Sequence, residues 1–254
     1  MYSIDDWVLT HLFMWKKFDA KAKLKIKKKI KWAKNKDSKK AILFFPYWTG
    51  TSKLYNLFSW NFRDYTRIFY DYPKEIFSRN VGVSLKYNRE VLIDAFNLIL
   101  DLRKKGYKEI VLVGSSSGSN FALKLSTMIK VDKVVLNMLD RNMAKGIFTS
   151  PALSILRRKL EKEGLTLNNV DKIYAFLSTE YILKNLKGID TKFLILLSKN
   201  DIFCTLEQFK PAIKQLDKLG INYKLKINYI LGHILSIYRN LYLSREIVNF
   251  IRKG

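Results

Sequence analysis

The chain alternates between two hydrophobic rhythms. Short, nearly unbroken apolar runs recur at AILFF (41–45), RIFYDY (67–72), EIVLVG (109–114), KVVLNML (133–139), KFLILL (192–197) and YKLKINYI (223–230). Between them lie stretches with apolar residues every three or four positions, over 89–105, 118–130 and 206–219, and another over 236–252 closes the chain. Runs that are apolar on both faces predict strands covered on both sides, so the pattern predicts an α/β fold: a mainly parallel central sheet with helices on both faces. Upstream, KAKLKIKKKIKW sets lysines against Ala22, Leu24, Ile26, Ile30 and Trp32 with a period of two. That alternation predicts a half-exposed strand or hairpin at the sheet edge, where lysine discourages pairing with another chain. Residues 1–20 predict a short helix capped by Ser3 or Asp5.

One connection is too long for a simple crossover. About fifty residues separate KVVLNML from KFLILL, whereas a dozen or so suffice to return a parallel strand. Helices predicted around 151–163 and 169–186 make residues 141–190 an inserted helical cap over the carboxyl edge of the sheet. The expected organisation is one domain: a basic start over 1–40, then the α/β body over 41–254 with the cap inside it.

Composition narrows the function classes. The formal charge is +25, carried by far more lysine than arginine in a chain also rich in Ile and Asn. Base-reading surfaces rely on the planar fork of arginine, so the excess reads as solubilising surface and coding bias, and nucleic acid is not an expected partner. Peripheral contact with an anionic membrane through the lysines is compatible with it. A single cysteine, Cys204, excludes an internal disulfide framework. Asp5 and Asp6 stand where a secretory signal would be basic, and no run reaches the roughly 18 apolar residues of a membrane span, so a cytoplasmic location is expected.

The candidate chemistry lies in EIVLVGSSSGSNFALKLS, from Glu109 to Ser126. A buried run enters Gly114-Ser115-Ser116-Ser117-Gly118 and a helical pattern leaves it. Strand, Gly-x-Ser-x-Gly, helix is the setting of a nucleophile elbow, in which the sharp turn lifts the middle side chain, here Ser116, above the sheet. Near neutral pH a serine hydroxyl needs a base, and the base needs an orienting group. Of the two histidines, His11 precedes the sheet, whereas His233 follows the last strand in NYILGHILS, at the edge where open parallel sheets place their chemistry. Asp201, just past KFLILL, is the expected acid, with Asp140 past the preceding strand as the alternative.

With these residues on the page, the chain from Ala41 onward resembles the α/β-hydrolase superfamily, in the order Ser116, Asp201, His233. The resemblance implies a serine hydrolase acting on an ester or thioester, or an acyltransferase or peptidase of the same fold. It also implies an oxyanion site formed by the amide of Ser117 and one from the loop FFPYWTGTS, supplied by Trp48 with Tyr47 as the alternative, since Pro46 has no N–H. Aromatics crowd this region (Phe44, Phe45, Tyr47, Trp48, Tyr55, Phe58, Trp60, Phe62), most of them expected in the core. Cys204 is expected to be a buried small residue. No cofactor or metal is expected, since two histidines and one cysteine cannot build a usual zinc site. The competing class is a non-catalytic module of this fold that binds anionic surfaces.

Overall fold

A computed structural model describes residues 26–35, 37–48, 51–72, 76, 81–186 and 189–253, with only the backbone of Ala152. The helix expected over 1–20, the first lysine alternations and His11 lie outside the described residues.

Seven strands form one sheet: β1 (Lys27–Lys31), β2 (Lys40–Phe45), β3 (Thr66–Asp71), β4 (Glu109–Ser115), β5 (Lys133–Asn137), β6 (Lys192–Ser198) and β7 (Tyr223–Asn228), in the order β1-β3-β2-β4-β5-β6-β7. Only β1 is antiparallel, running from Lys27 opposite Asp71 to Lys31 opposite Arg67 at the sheet edge. The remaining neighbours are parallel. The alternation of side chains along each strand splits the core in two. On one face Leu43, Phe45, Ile110 and Leu112 pack under α1 (Val81–Lys104) and α2 (Ser117–Met128). On the other, Ile42, Phe44, Val111 and Val113 pack against Tyr55, Phe58 and Phe62 and against Ile237, Ile247 and Ile251 near the C-terminus.

Between β5 and β6 the chain forms α3 (Met143–Thr149), α4 (Ser154–Lys162), α5 (Leu167–Tyr174) and α6 (Thr179–Ile182). The sequence pattern missed α3 and joined the last two, which Ser178 interrupts in an extended conformation (φ −80, ψ 128). After α7 (Leu206–Lys218), the helix expected over 236–252 is two helices, α8 (His233–Tyr238) and α9 (Glu246–Lys253). A π-helical turn, Arg239–Leu243, and extended Ser244 divide them, and the Ser244 hydroxyl accepts the Glu246 N–H at 3.2 Å. Helix α1 begins eight residues before its expected start, because buried Ser84 and Asn88 blur its apolar stripe. Among the described residues no helix is long and apolar enough to cross a membrane.

The order of the strands positions the site. From β2 the chain steps outward to β3, then returns past β2 to β4, so the connections leaving β2 and β4 part in opposite directions. A crevice opens at the carboxyl end of such a switch point. Phe45 and Gly114 are registered across it.

Helix α2 packs there so tightly that a Cβ on Gly118 would lie 2.1 Å from the carbonyl oxygen of Phe45. We expect Gly118→Ala to lower stability by roughly 1–3 kcal/mol despite the better helix propensity of alanine, read as a lowered urea midpoint at unchanged slope. A midpoint at or above wild type would contradict this contact.

Candidate active site

The chain passes from β4 into α2 through Ser116, whose φ of 51° and ψ of −124° suit almost no L-residue. Such strain costs on the order of 1–3 kcal/mol and persists only where neighbours enforce it. Here the Ser116 N–H donates to the carbonyl of Asn137 at 2.8 Å, and the Ser119 N–H donates to the carbonyl of Ser116 at 2.7 Å. A Cβ on Gly114 would lie 2.3 Å from the Gly118 carbonyl oxygen, so the turn closes only with glycine at both ends. The three serines between them differ in role: Ser115 is buried in the strand, Ser116 occupies the apex and Ser117 opens the helix.

His233 is the first residue of α8, after Gly232. Its Nε2 lies 2.8 Å from the Ser116 hydroxyl and its Nδ1 lies 2.6 Å from Oδ2 of Asp201. The other oxygen, Oδ1, accepts the N–H groups of Phe203 and Cys204 at 2.7 and 3.2 Å. These two donors pair the second oxygen of a carboxyl that is only 4% exposed. The loop carrying Asp201 is laced to the loop carrying His233: Asn200 Nδ2 donates to the carbonyls of Tyr229 and Ile230 at 3.2 and 3.0 Å, and the Ser198 hydroxyl to that of Leu231. The edge of the Phe203 ring meets the imidazole with centroids 4.7 Å apart.

Asp140, the alternative acid, makes no hydrogen bond to the imidazole. Its carboxyl accepts the Asn142 N–H at 3.3 Å, and burial, reinforced by the nearby Asp201 charge, pushes its pKa up to about 7. Burial likewise keeps the Cys204 thiol protonated and poorly nucleophilic. A cavity of about 110 Å³ opens beside Ser116, lined by Tyr47, Trp48, Ser117, Asp140, Asp201 and His233 among others. Met143, Ile147, Leu153 and Leu156, from the segment between β5 and β6, form an apolar wall. Of the aromatics crowding 44–62 only Tyr47 and Trp48 reach the cavity. Phe44, Phe45, Tyr55, Phe58 and Phe62 are core, and Trp60 is exposed. Among the described residues no group of His, Cys, Asp and Glu is arranged to hold a metal ion.

No protein-family profile matches the chain, and no curated protein matches its sequence. Solved structures do match its fold. MenH from S. aureus aligns at TM-score 0.56 and 16% identity, over 89% of this chain and 97% of its own. An esterase/lipase from an uncultured bacterium aligns at 0.55 and 13%, over 98% and 96%. The Pyrococcus horikoshii acylaminoacyl peptidase aligns at 0.62 and 16%, over 90% of this chain but only 39% of its own. This chain has the α/β-hydrolase fold.

Within this α/β-hydrolase fold a buried polar network, missed at the level of sequence, joins the three segments that meet at the cavity. The Tyr55 hydroxyl bridges the carbonyl of Phe45, at the end of β2, and the hydroxyl of Ser115, both at 2.8 Å. Asn137 Nδ2 donates to Ser115 Oγ at 3.4 Å and to the carbonyl of Ile237 in α8 at 3.3 Å. Its Oδ1 accepts from Asn240, in the π-helical turn, at 2.8 Å. One signal was available, a polar asparagine inside the apolar run KVVLNML. Tyr55 and Asn240 carried none.

Two outcomes follow from this arrangement. Asn137→Leu and Asn240→Leu should each destabilise the protein by about 1–3 kcal/mol, since each leaves a buried polar partner unpaired. The double variant should cost less than their sum by at least about 0.5 kcal/mol, measured by urea denaturation, and strict additivity would dissolve the network. Asp140 sets a pH dependence. Its folded pKa of about 7 stands above the ordinary aspartate value of 3.8, so between these limits the native state holds the extra proton and stability falls as pH rises. Asp140→Asn lacks that loss, so its stability relative to wild type should climb from pH 4 to pH 8. A flat difference would place the carboxyl in water.

Proposed function

We propose that this protein is a serine hydrolase that cleaves a carboxylic ester or thioester through an acyl-enzyme on Ser116. One observation carries the reading: the unbroken chain of contacts from the Ser116 hydroxyl through both nitrogens of His233 to Asp201, at 2.8 and 2.6 Å. His233 accepts the hydroxyl proton at Nε2 as Ser116 Oγ attacks the carbonyl carbon. Asp201 accepts the Nδ1–H bond, which fixes the tautomer and stabilises the imidazolium. The carbonyl oxygen becomes an oxyanion held by the amide of Ser117, at the start of α2, and by that of Trp48 or Tyr47. His233 returns its proton to the departing alcohol or thiol, and water repeats the sequence on the acyl-enzyme.

The apolar wall of the cavity supports a substrate with an aliphatic portion, and the fold neighbours include an esterase/lipase and an acylaminoacyl peptidase. Transfer of the acyl group to an acceptor other than water shares the first half of this chemistry and is the second reading. A non-catalytic role gives no physical reason to hold Ser116 in a strained backbone beside His233. The lysine-rich surface would let such an enzyme meet an ester substrate at an anionic lipid surface.

A fluorophosphonate should label Ser116 in the wild type, located by peptide mass spectrometry, and should leave Ser116→Ala unlabelled. Ser116→Ala and His233→Ala should each lower kcat for activated esters by at least about a thousandfold with the fold retained by circular dichroism. Equal labelling of wild type and Ser116→Ala would remove this residue from the chemistry.

A further inference from the structure

Asp140 sits where a carboxyl ought to have a partner and has little. Its backbone is fixed: the carbonyl accepts the Thr179 hydroxyl at 2.5 Å and Asn120 Nδ2 at 3.3 Å. The side chain is thereby aimed into the cavity it lines, yet its donors are backbone N–H groups of Arg141 and Asn142. The charge of a protonated His233 acts on it from nearby, but no side-chain donor among the described residues hydrogen-bonds it. The guanidinium of the adjacent Arg141 turns away, to Glu180 at 3.1 Å and to the carbonyl of Gln208 at 3.0 Å.

Gly146 faces this carboxyl from within α3. A Cβ there would lie 3.3 Å from Oδ2 of Asp140 and 3.5 Å from the carbonyl oxygen of Phe203. The backbone at Gly146 is ordinary helix, so no left-handed conformation calls for glycine. Inside a helix glycine costs about 1 kcal/mol relative to alanine. The missing side chain lets the backbone of α3 come closer to the carboxyl oxygen than an alanine would allow, in a wall otherwise formed by Met143, Ile147, Leu153 and Leu156.

We propose that Asp140, where it lines the cavity beside Gly146, forms a subsite for a hydrogen-bond-donating group, a hydroxyl or an ammonium, on the part of the ester lodged in the cavity. The assignment rests on the hydrolase reading and names its substrate class: esters with an aliphatic portion bearing one such donor. A ligand that covers the carboxyl without offering a donor leaves it unpaired, whereas a hydroxyl or ammonium satisfies it. Above about pH 7, where Asp140 gives up its proton, discrimination by a charged hydrogen bond in this buried site reaches about tenfold or more, so the comparison is made at pH 8.

The test compares kcat/KM of the full-length protein for 4-nitrophenyl butanoate, 3-hydroxybutanoate and 3-aminobutanoate. A second arm places the same groups on the alcohol half, using butyl, 3-hydroxybutyl and 3-aminobutyl butanoates. In one arm a donor-bearing ester should exceed its plain analogue by about tenfold or more. That ratio should fall toward one in Asp140→Leu and in Gly146→Ala, whose added methyl crowds the carboxyl oxygen while favouring the helix, so that the two variants perturb the fold in different ways. The responding ester distinguishes hydroxyl from ammonium, and the responding arm tells which half of the ester occupies the subsite. Ratios near one throughout, or a preference that survives in every variant that folds, overturn the subsite. Fluorophosphonate labelling of wild-type Ser116 separates the two failures: labelling without a preference rejects the subsite alone, and no labelling rejects the hydrolase reading together with the subsite.

Discussion

The site depends on the closeness of two pieces of backbone. Helix α2 starts so near the end of β2 that the Gly118 position touches the Phe45 carbonyl, and the turn that allows it is closed against Gly114. From this approach the rest follows in order. The residue between strand and helix is forced to φ 51°, its hydroxyl is lifted out of the sheet, and the loop leaving β2 is brought beside it. A bulkier residue at either glycine would separate strand from helix, and Ser116 would relax into an ordinary turn.

Two buried carboxyls stand near the imidazole, and their surroundings give them opposite characters. Asp201 is met by two backbone N–H groups and the imidazole. Asp140, with weaker backbone donors and a like charge nearby, keeps its proton to near neutrality. Of the expected acid and its alternative, Asp201 is the one that meets Nδ1.

The fold was legible because its signals are local. Unbroken apolar runs mark parallel strands, and Gly114 and Gly118 around three serines mark a turn with no room for side chains. With only two histidines in the chain, His233 was found almost by elimination. What stayed hidden is held by contacts between distant residues. Asn137 and Asn240 meet across 103 positions, Tyr55 and Ser115 across 60, and no local pattern foretells either. The break between α8 and α9 was lost for a related reason: a π-helical turn keeps the apolar residues in helical spacing while shifting their phase. Met138, at φ 62° just after β5, lies in a left-handed conformation that its side chain gives no reason to expect.

Ser116 and His233 are separated by 117 residues, and β5, β6 and β7 must all be laid down between them before the two side chains meet. During synthesis the hydroxyl therefore leaves the ribosome long before its base. A nascent chain that has not yet reached His233 lacks the contact between the two side chains, so the arrangement on which the proposed reactivity depends forms only late in synthesis.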